Sequence, residues 1–197
     1  MEISLTECNT LLGVIISPLQ KFFVTLPFLL MAYSQQTWPF EKALSEADLQ
    51  AAFVYNFTQF IKWPDTQADT IFQLCILGSK DETRIFFDQL NGKTANQQII
   101  EVVYLPSAFA NTRLQKCQLI FQLEAFPKAF TQPLAHGVVL VTYNPAPGTQ
   151  NVSIALQLNR ARQLRFAINP AAVAVAGVVV SSQLKKLAIE WQGVGQP

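Results

Sequence analysis

Four short apolar runs constrain the chain most: Ile71 to Leu77, Ile99 to Leu105, Cys117 to Leu123 and Val138 to Thr142. They recur at roughly 20-residue intervals, with helix-compatible sequence between them. Ile71 to Leu77, closed by Gly78, reads as a buried strand leading into a tight turn, and the other three runs read as further strands. The spacing leaves room for a crossover after each strand. It predicts an α/β domain, a mainly parallel sheet with helices on its faces. Asp81 to Leu90 predicts one of those helices, with Ile85, Phe86 and Leu90 inward and Asn91-Gly92 at its end. Pro106 to Leu114 predicts a short helix. Ala125 to Ala135 predicts a third helical stretch, interrupted by Pro127 and Pro133.

The flanks complete the domain. Ser45 with Asp48 three residues on forms a capping box, in which side chains satisfy the unpaired N–H groups of a first helical turn. Leu49, Phe53, Phe57, Phe60 and Ile61 follow at helical spacing and define one buried face. Trp63-Pro64 ends this helix, because proline pushes the residue before it out of the α region. After a loop at residues 143–150, Val152, Ile154, Leu156 and Leu158 alternate with smaller or polar residues, as do Leu164, Phe166 and Ile168. Alternation predicts a C-terminal antiparallel hairpin with one buried and one more polar face. Pro170 starts a short helix. Ser181 to Trp191 predicts the last one, with Leu184, Leu187 and Ala188 inward. The predicted architecture is a single α/β domain over residues 45–192.

The first 34 residues read differently. Lys21 precedes an apolar stretch from Phe22 to Ala32, and Ala32-Tyr33-Ser34 places small residues where a signal peptidase needs them. Residues 1–34 are therefore expected to be a signal peptide cleaved before Gln35, with residues 35–44 as a tether. A transmembrane anchor over residues 11–33 is the alternative, but Ser17, Pro18, Gln20 and Lys21 interrupt it. Glu2 and Glu7 suit a signal peptide poorly, which suggests a true start near Val14 or Leu19. Cleavage removes Cys8 and leaves an even pair, Cys75 and Cys117. In an oxidising compartment such a pair favours a disulfide, with two separate buried thiols as the alternative.

The inventory for catalysis is thin. His136 is the only histidine, and beside Gly137 it reads as a helix-end or surface residue. No Gly-x-Ser-x-Gly elbow, Walker sequence or Gly-x-Gly-x-x-Gly loop occurs. Two distant cysteines and one histidine do not supply a zinc site. The formal net charge is +1 with no basic run, so a nucleic-acid footprint is absent from the sequence. The expectation is no enzyme, no cofactor and no metal. Aromatic residues are the abundant feature, with 15 phenylalanines, and most of those on the first helix are expected in the core. Tyr55 and Asn56 fall off its apolar stripe and are the better candidates for a contact surface.

The block Ala51-Ala52-Phe53-Val54-Tyr55-Asn56-Phe57-Thr58-Gln59-Phe60-Ile61-Lys62-Trp63-Pro64 resembles the opening of the YfiR/HmsC-like family. So do Leu74 to Gly78, Cys117 to Phe121, Leu164 to Asn169, and Ser181 to Leu184 before Leu187. The resemblance covers residues 45–190. It implies a periplasmic location, a disulfide between Cys75 and Cys117, and a regulatory role without enzymatic activity. The best-known members bind the periplasmic sensor domain of a membrane-anchored diguanylate cyclase and hold it inactive. Their release raises cyclic di-GMP and promotes biofilm. Tyr55, Asn56, Trp63, Arg165 and Asn169, all within these motifs, are the candidate partner-binding residues.

The sequence departs from the family pattern at three points. Ala167 stands where an acidic residue is usual, Pro147 to Asn151 replaces a glycine pair, and a second cysteine pair is missing. The leading expectation is a repressor of such a cyclase, with the membrane protein's periplasmic domain as partner and a homodimer left open. The second is a periplasmic small-molecule binding or sensory module, with its crevice at the strand carboxyl ends near Gly78 and the turns at 106–108 and 124–126.

Overall fold

The computed structural model describes residues 45–64, 70–78, 81–106, 114–123, 130, 134–146, 149 and 151–193. The expected signal peptide and tether lie outside them, as do most of the helical stretches expected at 106–114 and 125–135.

Helix α1 spans Glu46–Phe60. The predicted capping box is present: Ser45 Oγ accepts from Asp48 N at 3.1 Å, and Asp48 Oδ2 accepts from Ser45 N at 3.0 Å. The helix stops three residues earlier than Trp63-Pro64 requires. Ile61 is already extended, and β1 (Ile61–Lys62) pairs antiparallel with β9 (Val179–Val180). This two-stranded sheet was not legible in the sequence. Strand pairing therefore ends the helix, not proline. The buried face of α1 is also rotated from the expected one: Ala51, Val54, Phe57 and Thr58 are buried, while Phe60 is 36% exposed.

The main sheet contains β2 (Ile71–Leu77), β3 (Thr94–Ala95), β4 (Gln98–Leu105), β5 (Leu119–Gln122), β6 (Val139–Tyr143), β7 (Ile154–Leu158) and β8 (Leu164–Ile168). Their spatial order is β3-β4-β2-β5-β6-β7-β8. The five central strands pair in parallel, β4 with β2, β2 with β5, β5 with β6 and β6 with β7. Antiparallel partners flank them: β3 against β4, and β8 against β7 as the expected C-terminal hairpin. Connections leave β2 in one direction and β5 in the other, so the topological switch point lies between those two strands. Most of the turns at their carboxyl ends, where the sequence placed a ligand crevice, lie outside the described residues.

The two sheet faces bury separate cores. On one face Phe72, Leu74, Ile76, Leu119, Phe121, Val139, Val141, Ile154 and Phe166 meet Val54 and Phe57 of α1, Phe87 of α2 (Asp81–Asp88) and Leu184 of α4 (Ser182–Leu187). On the other, Cys75, Leu77, Ile120, Leu140 and Ala155 meet Leu114, Phe130 and the partly buried Trp191. The hairpin differs from its expected one-sided burial. Ser153 is 2% and Ala155 1% exposed, because the second core also covers their face. Around α2, Leu90 is buried and Phe86 partly buried, as expected, but Phe87 is also fully buried and Ile85 is 63% exposed, opposite to expectation. α4 is shorter than expected and leaves Leu187 70% exposed. Helix α3 (Pro170–Ala176) starts at proline as predicted and ends at Gly177, whose φ of 66° suits glycine.

Candidate functional site

Residues of the family-like motifs line an apolar groove between α1 and α4. Phe53, Asn56, Phe57 and Phe60 form one wall, and Gln183, Leu184 and Leu187 the other, around a hollow of about 130 Å³. Its floor is rigid. Phe53, Phe57 and Phe166 stack edge-on or tilted, with ring centroids 5.3 to 6.1 Å apart. Such a floor loses little conformational freedom on contact, which favours binding by rigid aromatic anchors. Phe60 and Leu187 stand partly or largely exposed at this groove. The sequence assigned both to the core, because helical spacing reveals a stripe but not how far a neighbouring helix extends over it.

The five candidate partner residues do not converge. Asn56 is exposed and lines the groove. Tyr55 is half-buried on the other side of α1, with Lys93 Nζ 4.9 Å above its ring. Arg165 is exposed on β8 and donates to Gln163 Oε1 at 3.0 Å. Trp63 donates its indole N–H to Gln118 O at 3.0 Å and sets its ring edge-on to Phe72, centroids 4.8 Å apart. Asn169 caps α3: its Oδ1 accepts from Ala171 N and Ala172 N at 3.1 and 3.3 Å, and its Nδ2 donates to Val152 O at 3.0 Å. Asn169 is thus occupied in holding helix to sheet.

Cys75 in β2 and Cys117 just before β5 form a disulfide, with Cα atoms 5.8 Å apart. Both are almost fully buried, at 1% and 2% exposure. The bridge crosses the switch point and closes a loop of sequence separation 42. In the chain-entropy account a loop of that length stabilises the fold by about 4 kcal/mol.

Two tyrosines act as clamps. Tyr143 at the end of β6 donates its hydroxyl to Glu46 in the first turn of α1, and Gln50 Nε2 reaches the same carboxylate at 3.2 Å. Burial, then the hydrogen bond to Glu46 and its charge, push the Tyr143 phenol up to about 12. Tyr104 on β4 donates to Asp88 Oδ1 at 2.6 Å and Arg84 O at 3.0 Å, with the Arg84 guanidinium 4.7 Å over its ring. Burial and Asp88 raise its phenol still further.

Among the described residues no group of three or more His, Cys, Asp or Glu could hold a metal ion. His136 lies exposed in a turn, its ring against Gly177: a Cβ added there would meet Nε2 at 2.0 Å. It does face a helix end, but that of α3. No described helix is long and apolar enough to cross a membrane.

The structure is a mixed α/β domain with a disulfide at its switch point and an aromatic-floored groove on its surface. The profile of the YfiR/HmsC-like family matches residues 47–189, and the chain belongs to that family. It is a family of periplasmic regulators of cyclic di-GMP signalling. No curated protein matches the chain.

Proposed function

We propose that this protein represses a membrane-anchored diguanylate cyclase by binding the cyclase's periplasmic sensor domain. Family membership over residues 47–189 is the observation that carries this role. The α1–α4 groove is the surface we assign to the contact. Binding one conformation of the sensor domain would bias the cyclase toward its inactive state, since a ligand shifts an equilibrium by its differential affinity for the two states.

The sheet edges support contact through side chains rather than by added strands. At β8, Ile189 N donates to Phe166 O at 2.9 Å and bridges Ala167. At β4, Gly92 and Lys93 hydrogen-bond Ile100, and Asn91 Oδ1 accepts from Val102 N at 3.1 Å. These bonds occupy part of each edge, which leaves less backbone for an incoming strand to pair with.

Deletion of the gene should raise cyclic di-GMP in its host, and in-cell cross-linking of the protein should recover a membrane cyclase. An unchanged nucleotide level together with no recovered cyclase would overturn the proposal.

A further inference from the structure

A second cleft lies elsewhere, at the amino ends of β2, β5 and β6, and holds about 450 Å³. Trp63, Pro64 and Ile71 form an apolar wall, with Lys116 and His136 also lining the cleft. Gln73, Gln115 and Gln118 add side-chain amides. The volume falls within the range of small-molecule sites, which are commonly mostly apolar with a few orienting polar groups.

The wall is fixed before any ligand arrives. The Trp63 N–H bond to Gln118 O and its edge contact with Phe72 hold the indole in one orientation. Gln118 is itself tied across the strands, its Oε1 accepting from Gln73 N at 2.7 Å. On the opposite rim, Gly137 N donates to Ala176 O at 2.8 Å, and His136 rests on Gly177. Those bonds fix the backbone that carries the imidazole. A preformed aromatic wall loses little entropy on binding. The ionisable side chains among the described lining residues are Lys116 and His136, and no carboxylate is among them.

We infer that this cleft binds a small organic anion with a flat apolar body, the body against Trp63 and the anionic group toward Lys116 and His136. The site is independent of the α1–α4 groove, whose lining residues it does not share. It therefore stands or falls apart from the proposed repression.

The probe is 1-anilinonaphthalene-8-sulfonate, with its uncharged analogue N-phenyl-1-naphthylamine as the comparison. Both are titrated by fluorescence against the purified protein, its Lys116→Glu and His136→Gln variants, and a Leu187→Ser variant in the other groove. Circular dichroism checks each variant's fold. The sulfonate should bind one saturable site, and Lys116→Glu should weaken it about tenfold. His136→Gln should weaken it less, and Leu187→Ser should leave it unchanged. The neutral analogue should bind more weakly and ignore Lys116→Glu. Three results would each overturn the inference: equal binding of both dyes, sulfonate binding insensitive to Lys116→Glu, or binding lost in Leu187→Ser.

Discussion

Asn96 donates its side-chain amide to the main-chain carbonyl of Ile61 at 2.9 Å, across 35 residues of sequence. The same nitrogen reaches Thr58 O at 3.1 Å, so one side chain serves two carbonyls at the end of α1. Asn96 and Gln97 both have positive φ, 48° and 70°, and form the tight turn between β3 and β4. Helix ends leave carbonyls without partners, and here a hairpin supplies the donor.

Replacing Asn96 by alanine should cost about 1 to 2 kcal/mol, because it leaves two carbonyls without their donor and places alanine in the left-handed region. Gln97→Gly should act oppositely and stabilise by about 0.5 to 1 kcal/mol, since glycine is the favoured second residue of such a turn. Urea midpoints at constant slope would measure both. Equal destabilisation by the two changes would show that the turn's backbone geometry does not govern the effect.

The buried bridge between Cys75 and Cys117 should resist reduction in the folded protein, since a reductant needs access to sulfur. Dithiothreitol alone should leave it intact in native buffer and cleave it readily in urea. The Cys75→Ala, Cys117→Ala double variant should lose stability of the order of 4 kcal/mol. Rapid reduction without denaturant would indicate an exposed, switchable bridge instead.

Tyr143 has its phenol raised to about 12, above the ordinary value of 10.0. A raised acid favours the neutral form in the fold, so its contribution is complete below about pH 10 and fades as pH climbs toward 12. Tyr143→Phe should cost about 1 kcal/mol at neutral pH, through the lost hydrogen bond to Glu46. It should also flatten the fall in stability between pH 10 and 12. Chemical denaturation at stepped alkaline pH would show this, and an identical slope in both proteins would count against the clamp.

The fold was largely legible because the central strands β2, β5 and β6 are buried on both faces and leave short apolar runs. β2 appears over Ile71–Leu77 as the sequence suggests, and the Ser45 capping box lies where its spacing places it. What the sequence hid were relationships set by tertiary contact. Ile61 and Lys62 look helical until Val179 and Val180 come alongside. Ile85, Phe60 and Leu187 carry the right spacing for burial, yet all three are exposed in the folded chain. Of the groove only Asn56 was legible as surface, since the apolar residues that line most of it are ones periodicity assigns to the core. Asn169 carries a second signal: asparagine before proline at a helix start is a capping signal. It was legible as such, and its side chain is committed to α3 and Val152.

Leu187 is the residue on which the proposed contact is most testable. It is 70% exposed, so replacing it should change stability by no more than about 0.5 kcal/mol. An aspartate there would set a charge against Phe53, Phe57 and Phe60, where a partner's apolar side chain would have to lose its water. Central anchors of this kind commonly cost 2 kcal/mol or more when removed, roughly thirtyfold in affinity. A deletion strain carrying Leu187→Asp should therefore keep its raised cyclic di-GMP, although the variant is exported and folded. Val175→Asp, on α3 and 58% exposed, is the matched control and should restore repression fully. The reverse pattern, repression restored by Leu187→Asp and lost with Val175→Asp, would move the contact to the α3 face.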